Sequence, residues 1–169
     1  ERPIKILVEA LQSLGASIHY EKEEGYPPIR ILSKKLKGGT VSLPANISSQ
    51  YISALLLIGP VLEEGIQIDL VGKITSVPYI EMTLALLESL GVQTEFEGQT
   101  IRVEPQKNPK TTSQIVESDW SSASYFFSVV ALADQSEIHL RSYKERSLQG
   151  DRVLRDISKK LGVESVVVT

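Results

Sequence analysis

The stretch Pro3-Ile4-Lys5-Ile6-Leu7-Val8-Glu9-Ala10-Leu11-Gln12-Ser13-Leu14-Gly15 sets the reading of the whole chain. Ile4, Leu7, Val8, Leu11 and Leu14 recur at intervals of three and four, the spacing of one face of an α-helix. Gly15 follows directly, where helices commonly end on a left-handed residue. Next, Ala16 to Tyr20 and Ile29 to Leu32 are short alternating runs on either side of Gly25-Tyr26-Pro27-Pro28, which predicts two strands and a turn. The phrase then returns. Tyr79 to Gly91 ends Leu87-Glu88-Ser89-Leu90-Gly91 and precedes alternating runs at Gln93 to Phe96 and Thr100 to Val103, around Glu97-Gly98-Gln99. Asp151 to Gly162 ends Lys160-Leu161-Gly162. A second pair, Ser48-Ser49-Gln50-Tyr51-Ile52-Ser53-Ala54-Leu55 and Ser121-Ser122-Ala123-Ser124-Tyr125-Phe126-Phe127-Ser128, keeps the same interval of roughly 70–75 residues, too long for a common solenoid repeat.

Between these landmarks, Thr40 to Leu43 and Ile66 to Val71 read as strands flanking a helix from Ser48 to Leu57. In the next copy Gln114 to Val116 and Glu137 to Leu140 read as strands around a helix from Ser121 to Leu132, with Tyr125-Phe126-Phe127 expected in its core. The predicted order is helix, hairpin, strand, helix, strand, repeated: an α/β protein of stacked, pseudo-symmetric subdomains. Gln106 to Thr112 is the most polar connection between them.

Composition narrows the function. The chain has 169 residues, 18 Lys and Arg against 21 Asp and Glu, 41% hydrophobic residues and no cysteine. A net charge of −3 argues against a general nucleic-acid binder, which needs a basic stripe to neutralise phosphates. The missing cysteines exclude disulfides, thiolate catalysis and cysteine-based zinc sites within these residues. No apolar run reaches the ~18 residues of a membrane span. The chain opens Glu1-Arg2-Pro3-Ile4, without an initiator Met and already inside a structural element, so a piece of a longer protein is expected.

Chemistry concentrates at helix starts. Ser48-Ser49-Gln50 offers hydroxyls, free backbone N–H groups and the positive end of a helix dipole, which together suit a phosphate; Ser48 serving only as a helix cap is the simpler alternative. Thr75-Ser76-Val77-Pro78-Tyr79 repeats the arrangement at the next helix start, and the two could face one anion. Asp119 precedes Ser121-Ser122 at a third, either as a cap or in a functional role. Arg2 has the planar fork that pairs with anions. His19 and His139 have no partner at ligand spacing and are expected to be structural or exposed. Lys34, Lys35 and Lys37 read as a solvated turn. Trp120 has no evident role.

Taken in order, Glu1-Arg2-Pro3-Ile4, Tyr26-Pro27-Pro28, Ser48 to Leu56, Pro78-Tyr79-Ile80, Asp119 to Phe126 and Ser147-Leu148-Gln149-Gly150-Asp151 resemble the 5-enolpyruvylshikimate-3-phosphate synthases. The resemblance implies two globes of repeated βαβαββ subdomains, the inside-out α/β barrel of the enolpyruvyl transferases. Residues 1–116 would then belong to the N-terminal-type globe, on the shikimate 3-phosphate side, and residues 117–169 to the crossover and the start of the second globe. It implies transfer of the enolpyruvyl group of phosphoenolpyruvate to the 5-hydroxyl of shikimate 3-phosphate with release of phosphate, in a cytoplasmic, monomeric enzyme without cofactor or metal. By that resemblance Ser48, Ser49 and Ser76 would hold the 3-phosphate, and Gln50 would lie against the ring. Tyr79 would add a hydroxyl, and Arg2 would bind phosphoenolpyruvate, where glyphosate also competes. Asp119 matches an acidic residue near the crossover and is the one possible catalytic group here. Ser118 and Trp120 depart from the Gly and small residue common around that aspartate. The family's proton-transferring carboxylates and remaining basic residues have no match in this chain, so the chain alone is expected to be inactive. The sister family of UDP-N-acetylglucosamine enolpyruvyl transferases and a catalytically silent repeat domain acting as an interaction module are the alternatives; Ser48-Ser49-Gln50 and Pro78-Tyr79 favour the first reading over the sister family.

Overall fold

Alternation of apolar and polar residues along four short segments builds one mixed sheet. The computed structural model describes residues 3–75, 77–107 and 113–166, and its contacts divide the chain into two units, Glu1–Thr112 and Ser113–Thr169. The first unit begins with α1 (Lys5–Ser13) and the two-stranded antiparallel pair β1 (Ser17–Tyr20) and β2 (Ile29–Leu32). It continues as β3 (Gly39–Pro44), α2 (Ser49–Ile58), β4 (Ile66–Val71), α3 (Val77–Ser89), β5 (Thr94–Glu97) and β6 (Thr100–Val103). A short 3₁₀ turn, Gly59–Val61, carries Pro60 just after α2. The sheet order is β3-β4-β6-β5, with β3 and β4 parallel and the other neighbours antiparallel.

The two sheet faces have opposite chemistry. Val41, Leu43, Ile66, Ile68, Leu70, Ile101 and Val103 are buried in one core cluster with Ile52, Leu55 and Leu56 of α2 and Ile80, Leu84 and Leu87 of α3. Each such side chain contributes about 1.5–3 kcal/mol when fully removed from water. On the other face Arg102 donates from Nε to Gln67 Oε1 (2.9 Å) and from a terminal nitrogen to Glu95 Oε2 (2.6 Å), and Thr100 Oγ1 donates to Asp69 Oδ1 (3.1 Å). A one-residue slip of register would exchange these two sets, so the pairing is strongly specified.

A parallel pair needs a crossover, and α2 supplies it. Register pairs Pro44 with Val71, the last residues of β3 and β4. The chain therefore leaves both strands at the same end of the sheet, and α2 and α3 both start there. Ala45 N–H extends the contact by donating to Val71 O (2.9 Å), which fixes the loop that enters α2. Gly15, Gly91 and Gly162, the glycines of the repeated phrase, all have positive φ (103°, 84° and 84°), consistent with helix-ending residues.

The second unit contains α4 (Trp120–Leu132), a 3₁₀ turn at Gly150–Val153 and α5 (Leu154–Lys159). The strands expected at Gln114 to Val116 and Glu137 to Leu140 do not form. A strand is defined by a partner, and here Ser118 N–H reaches Ser142 O (2.8 Å) without a ladder developing around it. Tyr125-Phe126-Phe127 also departs from expectation. Tyr125 is 75% and Phe126 46% exposed. Phe126 and Phe127 line an open cavity of about 620 Å³ together with Ile138 and Leu140.

Candidate functional site

At the start of α2, Ser48 occupies the N-cap position with φ −55° and ψ 126°, yet its hydroxyl makes no capping hydrogen bond. A serine there ordinarily spends its oxygen on the N–H two or three residues on. The helix start is instead held by its surroundings. Tyr51 N–H donates to Ser48 O (3.0 Å), and Tyr51 Oη donates to Pro3 O (2.6 Å), which ties the chain entering α1 to the first turn of α2. Ser48 and Gln50 are exposed and Ser49 is half-buried. The result is a helix N-terminus whose serine hydroxyl is not used as a cap, a setting suited to an anion.

α3 begins beside it with Pro78 in its first turn, where a missing N–H costs nothing. Tyr79 is 47% exposed, and its backbone carbonyl accepts from Thr83 Oγ1 (2.8 Å). Thr83 Oγ1 in turn lies 2.9 Å from Ser53 Oγ of α2. Ser49 and Tyr79 stand one helical turn before Ser53 and Thr83, on the same helix faces. The first unit thus carries Ser48, Ser49, Gln50 and Tyr79 at one end of the parallel pair. Arg2 and Ser76 lie outside the described residues.

In the second unit Asp119 behaves differently from Ser48. Its carboxylate caps α4, accepting from Ser121 N (3.0 Å), Ser122 N (3.1 Å) and Ser122 Oγ (2.6 Å). The Ser122 hydroxyl first, and then the two amides, hold it below the usual aspartate range. Such a group stays ionised near neutrality and makes a poor proton donor. Asp119→Ala is expected to abolish amide protection at Ser121 and Ser122, while Asp119→Asn retains part of it; hydrogen exchange of those two amides is the measurement. Unchanged protection in the alanine variant would refute the capping role.

Sequence reasoning did not single out Glu117 or Trp120's purpose. Glu117 Oε1 accepts from Lys144 N (2.9 Å) and Trp120 Nε1 (3.0 Å), and Oε2 accepts from Ser147 Oγ (2.9 Å). Burial pushes its carboxyl up, but the Lys144 amide, the Trp120 indole and the side chains of Ser147 and Gln149 together bring it below the usual range. Gln149 completes the network, donating to Ser118 O (2.9 Å) and accepting from Trp120 N (2.8 Å). Trp120, 4% exposed, packs edge-on against Tyr143 at 4.9 Å and is the hub of the small unit. The sequence signal was that Trp120 and Ser147-Leu148-Gln149 fall in two of the stretches that carry the family resemblance.

Neither histidine has the setting of a metal ligand. His19 Nε2 is 3.3 Å from Ser17 Oγ and His139 Nε2 is 3.2 Å from Glu137. Among the described residues no cluster of three or more His, Asp or Glu side chains could hold a metal ion. Lys35 pairs with Glu63 at the surface, as a solvated turn would.

Comparison with known proteins gives a consistent result. Residues 1–169 match the family model described as EPSP synthase (3-phosphoshikimate 1-carboxyvinyltransferase). A 3-phosphoshikimate 1-carboxyvinyltransferase of Bacteroides fragilis is 47% identical over 167 residues, which cover 96% of this chain and 40% of the relative. A protein of the same name from Haemophilus influenzae is 38% identical over 172 residues, covering 97% of this chain and 38% of that one. The chain thus spans about 40% of the length of the curated relatives it matches. Among solved structures, EPSP synthase from Acinetobacter baumannii superposes with a TM-score of 0.64 at 26% identity, over 86% of this chain and 32% of that one.

Proposed function

We propose, from the premise that this chain belongs to the EPSP synthase family, that it forms the shikimate 3-phosphate side of an enzyme transferring the enolpyruvyl group of phosphoenolpyruvate to the 5-hydroxyl of that substrate. The observation that carries this reading is the start of α2, where the Ser48 hydroxyl does not cap its helix and lies beside Ser49 and Gln50. α3 opens at the same end of the parallel pair with Tyr79 exposed. In this reading Ser48, Ser49 and Ser76 hold the 3-phosphate, Gln50 lies against the ring and Tyr79 donates its hydroxyl. Arg2 takes phosphoenolpyruvate through its planar fork.

The reaction needs a proton delivered to the methylene carbon of phosphoenolpyruvate and one removed from the attacking hydroxyl, while phosphate leaves. The residues proposed here bind and orient; they do not exchange protons. Asp119 enters this reading as a helix cap rather than as the acid–base group. We assign residues 1–116 to the N-terminal-type globe of the inside-out barrel fold and residues 117–169 to the crossover and the start of the second. The uninterrupted order β-α-β-α-β-β from Gly39 to Val103 supports that assignment. The same reading makes the protein a cytoplasmic monomer; among the described residues no helix is long and apolar enough to cross a membrane.

Titration of the complete protein that contains this chain with shikimate 3-phosphate tests the site. Ser49→Ala should weaken binding roughly ten- to a hundredfold, the effect of losing about 1.5–3 kcal/mol from a hydrogen bond to a charged group. Helix content should be unchanged, and UDP-N-acetylglucosamine should not bind. An unaltered dissociation constant in Ser49→Ala would return that serine to an ordinary structural role.

A further inference from the structure

We infer that the hydroxyl pair Ser53–Thr83 is a positioning element that sets the separation of the two helix starts forming the phosphate site; this rests on the reading of that site given above. α2 and α3 also share the apolar core, with Ile52, Leu55 and Leu56 of the one and Ile80, Leu84 and Leu87 of the other buried in a single cluster. Apolar contact is non-directional and tolerates sliding of one helix along the other. A hydrogen bond does not, because it weakens steeply once its distance and angle depart from the optimum. Ser53 Oγ and Thr83 Oγ1 are 2.9 Å apart, and Thr83 is 4% exposed, so water does not substitute for either partner at that residue.

Counting protons gives the pair a direction. A threonine hydroxyl has one hydrogen, and Thr83 donates it to the carbonyl of Tyr79 at 2.8 Å. Ser53 must then donate to Thr83. The chain of hydrogen bonds runs Ser53 O–H to Thr83 Oγ1, and Thr83 O–H to Tyr79 C=O. It ends on the backbone of the residue whose side chain is proposed to meet the ligand. At its other end Ser53 lies one turn, about 6 Å along the helix axis, after Ser49. The pair therefore stands one turn behind the proposed ligand contacts on both helices.

Its cost supports a positional role. A threonine hydroxyl bonded back to the carbonyl four residues earlier slightly destabilises a helix and tends to bend it. Valine would fill the same space in this apolar interface without that bond. Neither Ser53 nor Thr83 is placed among the proposed ligand contacts.

The test is titration with shikimate 3-phosphate of the complete protein that contains this chain, as wild type and as Ser53→Ala, Thr83→Val, the double variant, Thr83→Ser and Ser49→Ala, with thermal midpoints measured on each. Ser53→Ala and Thr83→Val should each raise the dissociation constant three- to tenfold while remaining folded. The double variant should be no worse than the weaker-binding single variant, because the two hydroxyls act as one unit. Thr83→Ser should restore binding to within twofold of wild type, since it returns the hydroxyl. If Ser49→Ala weakens binding while Ser53→Ala and Thr83→Val leave it unchanged, the positioning role is overturned and the site stands. If the wild type does not bind, or Ser49→Ala has no effect, the site reading fails and this inference fails with it.

Discussion

Gly65→Ala is expected to destabilise the sheet-bearing unit by about 3–5 kcal/mol, the range of a substitution that forces backbone apart in a packed core. Gly65 has φ +66°, and a Cβ there would meet the carbonyl oxygen of Val103 at 2.3 Å and Pro105 Cδ at 3.0 Å. The left-handed backbone alone costs a non-glycine residue roughly 1–2 kcal/mol. The clash adds more, because neither side is free to retreat. Val103 is paired with Ile66 across β4 and β6, and Gly65 O accepts from Gly39 N (3.2 Å) at the start of β3. Gly72→Ala is the matched control, with φ +100° and nothing within 4 Å of its added Cβ, and should cost only about 1 kcal/mol. Hydrogen exchange at the Ile68 and Leu70 amides reads the opening of this sheet. Tryptophan fluorescence would not, since the chain's one tryptophan, Trp120, lies in the other unit. Equal losses in the two variants would show that the Val103 carbonyl yields, and would refute the close approach as the cause.

That same tryptophan makes the second unit the better place to test Glu117. Glu117→Ala removes the acceptor of three donors: the Lys144 amide, the Trp120 indole and the Ser147 hydroxyl. Hydrogen bonds to a charged group are worth about 1.5–3 kcal/mol each, and groups in one network do not add. A loss of ~3 kcal/mol is therefore expected, with Trp120 emission moving to the red as its N–H meets water. The pH dependence has a definite sign. Folding holds the Glu117 carboxyl below its ordinary value, so its stabilisation is fully present above the ordinary glutamate range. It is lost as the pH falls through the lower, folded value. Glu117→Gln removes that dependence and leaves an amide N–H₂ facing donors. Urea unfolding followed by Trp120 fluorescence, at neutral pH and on the acid side of the glutamate range, distinguishes these outcomes. Wild type and Glu117→Gln sharing one pH profile would refute the assignment.

The contrast between the two units explains what the sequence could reveal. In the first, helix periodicity, alternating runs and glycines at turn positions are local signals, and each maps onto an element within a residue or two: Ile4 to Leu14 onto α1, Thr40 to Leu43 onto β3, Ser48 to Leu57 onto α2. Ser48-Ser49-Gln50 and Tyr79 were visible for the same reason, because a helix start is a local feature. That Ser48 does not cap its helix while Asp119 does was not visible, since both are favoured cap residues and only side-chain geometry separates them. The misses share a cause. Gln114 to Val116 and Glu137 to Leu140 have strand-like composition, but pairing is a long-range event that no window of sequence contains. Glu117 likewise draws its importance from Lys144, Ser147 and Gln149, far along the chain. Ser53 and Thr83 could have been found by projecting both helices and looking one turn behind Ser49 and Tyr79.

The strand order also has a kinetic meaning. The pairs β1–β2 and β5–β6 close between neighbours in the sequence, whereas β3 meets β4 only across the whole of α2, and β4 meets β6 only across α3 and β5. Contacts between distant residues form slowly, because loop-closure entropy is lost before they return any stabilisation. The hairpins and helices can assemble early, but the end of the sheet at which α2 and α3 begin side by side does not exist until β4 is seated between its two remote partners. The end of the sheet where an anion site is proposed is thus among the last features of the first unit to appear during folding, and residues at Pro44 and Val71 should influence the unfolding rate more than the folding rate.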